Sequence, residues 1–147
     1  MGTPLNGLRP RHYYYSVRSY LLGGKPGRRD PRVLLLAVAD VVAGRVRESV
    51  SMGVCPYCGR SFTSRSSVKK HLTASSYCGL QLKNDVYAVV EAYVKLRSAL
   101  RETGATRCGS RRCRIKVCRD GRPVYFKNAT ELARWIREVG PSFLSAF

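Results

Sequence analysis

The chain is short of acids, histidines and side-chain amides. Nine Asp and Glu stand against 27 Lys and Arg, a formal net charge of +18 on 147 residues. There are two histidines, one glutamine (Gln81) and three asparagines. The acids are scattered, with no paired carboxylates and no nucleophile–base arrangement, so no enzyme is expected. Long apolar runs are missing too. The longest, residues 33–43, is broken by Asp40 and is too short to span a bilayer. The opening MGTPLNGLRPRHYYY lacks the apolar stretch of a secretory signal. No membrane partner is expected, and a cytoplasmic location is, in the nucleoid or in the host cytoplasm if the source is viral. Scarce amides with 20 Arg against 7 Lys fit a thermophile, although a GC-rich genome also raises arginine.

What is present begins with charge. An excess of +18 on 16.4 kDa self-repels without a counter-charge and points to a polyanion, of which nucleic acid is the commonest. The 44% apolar content is enough to build a core. Six cysteines in an intracellular chain favour metal over disulfides.

Residues 55–78 read CPYCGRSFTSRSSVKKHLTASSYC. Cys55 and Cys58 form a C-x2-C pair on a turn suited by Pro56 and Gly59. After twelve intervening residues comes His71, on a helix starting near Ser64, and after six more Cys78. Four soft or borderline donors of this kind are what a structural zinc site uses. Phe62, at a strand end, and Val68, one turn before His71, supply the small apolar plug. One zinc ion on Cys55, Cys58, His71 and Cys78 is expected, with the helix breaking after about Ala74 to bring Cys78 round.

This segment resembles the ββα zinc finger family, which ordinarily uses two Cys and two His. The resemblance covers 24 residues and departs at the fourth ligand, where Cys78 stands beyond the usual second-histidine window of three to five residues. It implies that the helix enters the DNA major groove and that Ser64, Ser67 and Lys70 reach base edges. Serine pairs with any base, so discrimination by this helix is expected to be weak. Arg60, Arg65, Lys69 and Lys70 are expected to meet phosphates. One finger reads only about three base pairs.

Around the finger the expected class is α+β, small and mainly helical: two long helices flank a ββα finger, and a β-hairpin plus helix follows. Residues 1–29 are expected to be a basic arm and linker, with 12–22 a short helix or strand inside it. A helix spans 30–52, with Asp30 as cap and Pro31 in the first turn. The finger takes 53–79. An amphipathic helix spans 84–104, capped by Asn84 or Asp85 and ended by Gly104, with Val86, Val89, Tyr93, Leu96 and Leu100 on one face. That stripe packs on the 30–52 helix or pairs two copies of the chain as a homodimer through 85–103. In 107–147, residues 115–118 and 123–126 read as strands around an Asp-Gly turn. Asn128 then caps a helix with Glu131 as its capping-box partner. Phe126, Leu132 and Trp135 repeat the spacing of Phe62, Val68 and His71, which suggests a second finger-like unit without metal.

A second basic surface comprises Arg111, Arg112, Arg114, Lys116, Arg119 and Arg122, suited to a basic ribbon on DNA or to plain solvation. Tyr13–Tyr15 offer stacking, with a core role the plainer reading. Cys108, Cys113 and Cys118 are open between a second metal site with His12, a Cys108–Cys113 disulfide and free thiols. The leading functional expectation is a DNA-binding transcription regulator of a thermophilic microbe or its virus, with DNA favoured over RNA. The alternatives are an RNA- or ribosome-associated structural protein and a protein-interaction finger.

Overall fold

The computed structural model describes residues 10–25, 32–102, 115–119 and 122–146. Among the described residues five α-helices carry the fold: α1 Pro10–Leu21, α2 Val33–Ser51, α3 Arg65–Ala74, α4 Ser76–Glu102 and α5 Ala129–Val139. A 3-10 segment, Gly140–Ala146, follows α5. The strands β1 Ile115–Arg119 and β2 Arg122–Phe126 pair antiparallel, Ile115 opposite Phe126 and Arg119 opposite Arg122. Their turn residues, Asp120 and Gly121, lie outside the described residues.

The expected α+β class is overturned. The core described is helix on helix, joined from the two-stranded β1–β2 pair by Phe126. The finger segment has no strands; Val54 and Ser61 make one isolated bridge there. Its ββα description is therefore replaced by a turn followed by a helix.

The segment read at 12–22 as a short helix or strand is helical, and residues 1–9 lie outside the described residues. Pro10 starts a helix, as its fixed φ allows in a first turn. Tyr13, Val17 and Leu21 then recur every fourth residue, and all three are buried. The first half of α2 is apolar all round, and Leu34 through Ala39 are buried without a break. A non-helical Ala43 (φ −138°, ψ 25°) kinks α2, and Val46 and Val50 return it to the core. Arg32 stands at its N-cap position; Asp30 and Pro31 lie outside the described residues.

The helix expected at 84–104 starts eight residues earlier, at Ser76, and passes through Asn84 and Asp85. Its stripe of Val86, Val89, Tyr93, Leu96 and Leu100 is buried in the core shared with α1 and α2, so that face is occupied within one copy of the chain. In α5, Asn128 Oδ1 accepts from Glu131 N at 3.0 Å and Glu131 Oε2 accepts from Lys127 N at 2.8 Å. Leu132 and Ile136 are buried against α2.

A polar strap ties three helices. Tyr20 on α1 donates to Asp40 Oδ1 on α2 at 2.7 Å, and Arg137 Nε on α5 meets Asp40 Oδ2 at 2.8 Å. Arg47 lies 4.0 Å over the Tyr20 ring and donates to the carbonyls of Tyr20 and Gly24. It thereby adds a cationic donor to carbonyls at the end of α1. Among the described residues, no helix is long and apolar enough to cross a membrane.

Candidate metal centre and basic surface

The four expected ligands meet. The Sγ atoms of Cys55, Cys58 and Cys78 and a ring nitrogen of His71 all lie within 4.8 Å of one another. Cys58 Sγ stands 3.5 Å from His71 Nε2. Cys55 and Cys78 are buried and Cys58 is exposed, so the group sits at the edge of the core with one open side. Such a group could hold a metal ion.

Local bonds shape the first pair. Gly59 N donates to Cys55 O at 3.0 Å, and Cys55 N donates to Arg60 O at 2.9 Å, which closes the turn. Phe62 N donates to Gly53 O at 2.7 Å. Gly53 has φ +76°, and a Cβ there would stand 3.0 Å from Phe62 O, so both conformation and space favour glycine. The Arg60 backbone N–H beside Cys58 holds its thiol below the ordinary cysteine value. Burial pushes the Cys78 thiol up.

The third ligand rides on α3. Ser64 is extended and its Oγ accepts from Ser67 N at 3.2 Å, an N-cap that starts the helix. Val68 and Leu72 are buried, and the Phe62 ring rests 5.0 Å from the His71 ring. The same offsets recur in α5. Its cap Asn128, buried Leu132 and Trp135, 5.6 Å from Phe126, follow the spacing of Ser64, Val68, His71 and Phe62.

The fourth ligand comes from the next helix, across a junction of one residue. Ser75 is extended (φ −72°, ψ 125°) and ends α3. Its Oγ accepts from Cys78 N at 3.2 Å and so caps α4. Cys78 falls in the first turn of α4 and points back at the other three ligands. Gly79 makes the close crossing of α3 and α4 feasible, since a Cβ there would stand 2.8 Å from Leu72 O.

A second fastening was not read from the sequence. Tyr57, inside the C-x2-C turn, donates to Asp85 Oδ2 on α4 at 2.6 Å. Arg45 of α2 pairs with the same oxygen at 3.3 Å. Burial, then the bond to Asp85, pushes the Tyr57 phenol far above its ordinary value. No local pattern announces a contact between residues 28 apart. The Ser75 cap did leave a signal, a serine three residues before Cys78.

On the outer side of α3, Arg65, Lys69 and Lys70 are exposed, as are Ser64 and the nearby Arg60. Ser67 is half-buried, and its Oγ lies 3.1 Å from Ser64 Oγ. Two of the three positions expected at base edges are thus joined to each other in the cap. Lys116 and Arg119 are placed on β1 and Arg122 on β2. Arg111, Arg112, Arg114, Cys108 and Cys113 lie outside the described residues. No acid occurs anywhere in residues 49–84.

Compared with known proteins, the chain matches no family model, no curated protein and no solved structure. No match confirms the ββα finger family, and what the structure supports is the grouping of Cys55, Cys58, His71 and Cys78.

Proposed function

We propose that the chain is a zinc-stabilised nucleic-acid-binding protein, with duplex DNA the favoured ligand and transcription regulation its role. The observation that carries this is the four-donor cluster at the root of α3. It holds a short helix whose outer side is Arg65, Lys69 and Lys70, within a stretch of the chain that contains no acid.

The donor set suits zinc. A tetrahedral zinc with Zn–S near 2.3 Å and Zn–N near 2.0–2.1 Å puts sulfur about 3.6 Å from nitrogen. The Cys58–His71 separation of 3.5 Å agrees with that edge. When bound, zinc supplies a cross-link between the turn, α3 and α4. Four protein donors leave no position for a reacting water, so the role assigned is structural. The helix then offers mainly charge. Capture of phosphates dominates, and base readout through the cap serines is weak. The cytoplasmic location and thermophilic source remain part of this reading on composition alone.

Selection from random duplex and single-stranded pools, with zinc and with chelator, tests it. An enriched duplex motif that disappears on chelation supports the reading. Arg65→Ala and Lys69→Ala should each weaken binding to all sequences alike and lower the salt slope by about one phosphate. Salt-insensitive binding overturns it. Enrichment of structured RNA alone moves the protein to an RNA-associated role.

A further inference from the structure

Among the described residues seven large apolar side chains are exposed, and four of them gather on α1 and the first half of α4: Tyr15, Tyr77, Leu80 and Tyr87. Residues 77, 80 and 87 share the face of α4 opposite its buried stripe. Tyr15 is 65% and Tyr87 53% exposed. They are joined through the half-buried Tyr14, whose ring is 5.4 Å from Tyr15 and 5.1 Å from Tyr87. The Lys83 ammonium sits 5.9 Å from the Tyr87 ring centre. Arg18, one turn after Tyr14 and Tyr15, reaches Thr73 on α3 at 3.4 Å. The aromatic row is thereby continuous with the outer side of α3.

We propose that this row is a stacking platform for the unpaired bases of a single-stranded nucleic acid. The proposal rests on the nucleic-acid reading above and names a strand class for a second part of the same surface. Three observations favour it. The exposed rings are base-sized, with Lys83 beside Tyr87 and Arg18 beside Tyr14, and rings with cations are the combination that binds single strands without sequence preference. Acids are absent from residues 1–29 and 49–84. The nearest two on α4 are engaged, Asp85 by Tyr57 and Arg45, and Glu91 by Lys95 at 3.6 Å. Finally, a second copy of a chain carrying +18 is repelled by like charge, whereas a phosphate backbone is attracted. A duplex hides its base faces, so the rings gain nothing from it.

The test uses the full zinc-loaded chain and labelled oligonucleotides of about 20 nucleotides, longer than one stacking site. Single-stranded DNA, single-stranded RNA and a duplex of the same sequence are compared by fluorescence anisotropy at physiological salt. The Tyr15→Ala, Tyr87→Ala double variant should bind single strands about tenfold or more weakly and bind the duplex as before. The corresponding Phe variant should keep single-strand binding, because the ring face is retained. Tyr125→Ala, exposed on β2, should change nothing. Unchanged single-strand binding by the double alanine variant, with duplex binding intact, refutes the platform and leaves the duplex reading standing. Binding to no nucleic acid at all refutes both. A dimer in sedimentation that Tyr87→Ala dissolves, with single-strand binding untouched, gives the face to a second copy and overturns the proposal.

Discussion

Removing the metal should unfold one part of the molecule and leave the rest. The helices α1, α2, α5 and most of α4 meet in a core of buried side chains that includes no ligand except Cys55 and Cys78. By contrast α3 has ten residues, below the roughly 12–15 at which an isolated helix persists in water. It places only Val68 and Leu72 in the core. Its start depends on the turn that carries Cys55 and Cys58, and its end on the junction before Cys78. Without metal, α3 and about one turn of α4 should melt, roughly a sixth of the α-helical residues in the five helices. Circular dichroism at the helical minimum, followed during chelator titration, should fall by about that fraction and recover on adding zinc back. The residue should still melt cooperatively on heating. Collapse of most of the signal would refute the argument, since it would make the metal the keystone of the whole fold. A chain that takes up no metal, or loses no helix on chelation, would refute it from the other side.

Two glycine substitutions should act in opposite directions. Gly79→Ala drives a methyl against Leu72 O and should lower metal affinity in a competition with a chelating dye, whereas Gly44→Ala meets nothing within 4 Å and should stabilise α2 by up to about 1 kcal/mol in urea denaturation. Tyr57→Phe removes a hydrogen bond to a carboxylate and should cost about 1.5–3 kcal/mol by the same assay, with metal bound. Raised phenol values at Tyr14, Tyr20, Tyr57 and Tyr93 mean that the unfolded chain loses those protons first as pH climbs. Stability should therefore hold below about pH 10 and decline above it, and Tyr57→Phe should reduce the slope of that decline.

The candidate site was legible because metal ligands are chemically few and spaced by the turn and helix they sit on. Cys55, Cys58, His71 and Cys78 could be named before any coordinates, and so could the Asn128–Glu131 cap, which depends on residues three apart. The buried half of α2 was equally plain, since no residue from Val33 to Ala39 is polar. The rest was hidden by competing local signals. At 12–22 helix and strand stayed open, because tyrosine and valine favour strands; the burial of Tyr13, Val17 and Leu21, four apart, goes with the helix. Asn84 and Asp85 look like a helix start, but Asp85 faces Tyr57 and Arg45, and the true cap is Ser75. The strands expected within the finger gave way to a single bridge between Val54 and Ser61. There the turn bonds and the packing of Phe62 on His71 fix the chain without a ladder.

The one-residue junction at Ser75 has a consequence for how such a module can be used. Fingers joined by loose linkers can be strung in tandem, each settling into its own stretch of groove. Here the last ligand opens a rigid rod of 27 residues, about 40 Å long, that also forms the spine of the core. Only the one extended residue Ser75 separates α3 from α4. Whatever meets α3 meets one solid piece, with the angle between α3 and the remaining surface set in advance. No further unit can be strung directly after Cys78, because the chain there is already committed to α4.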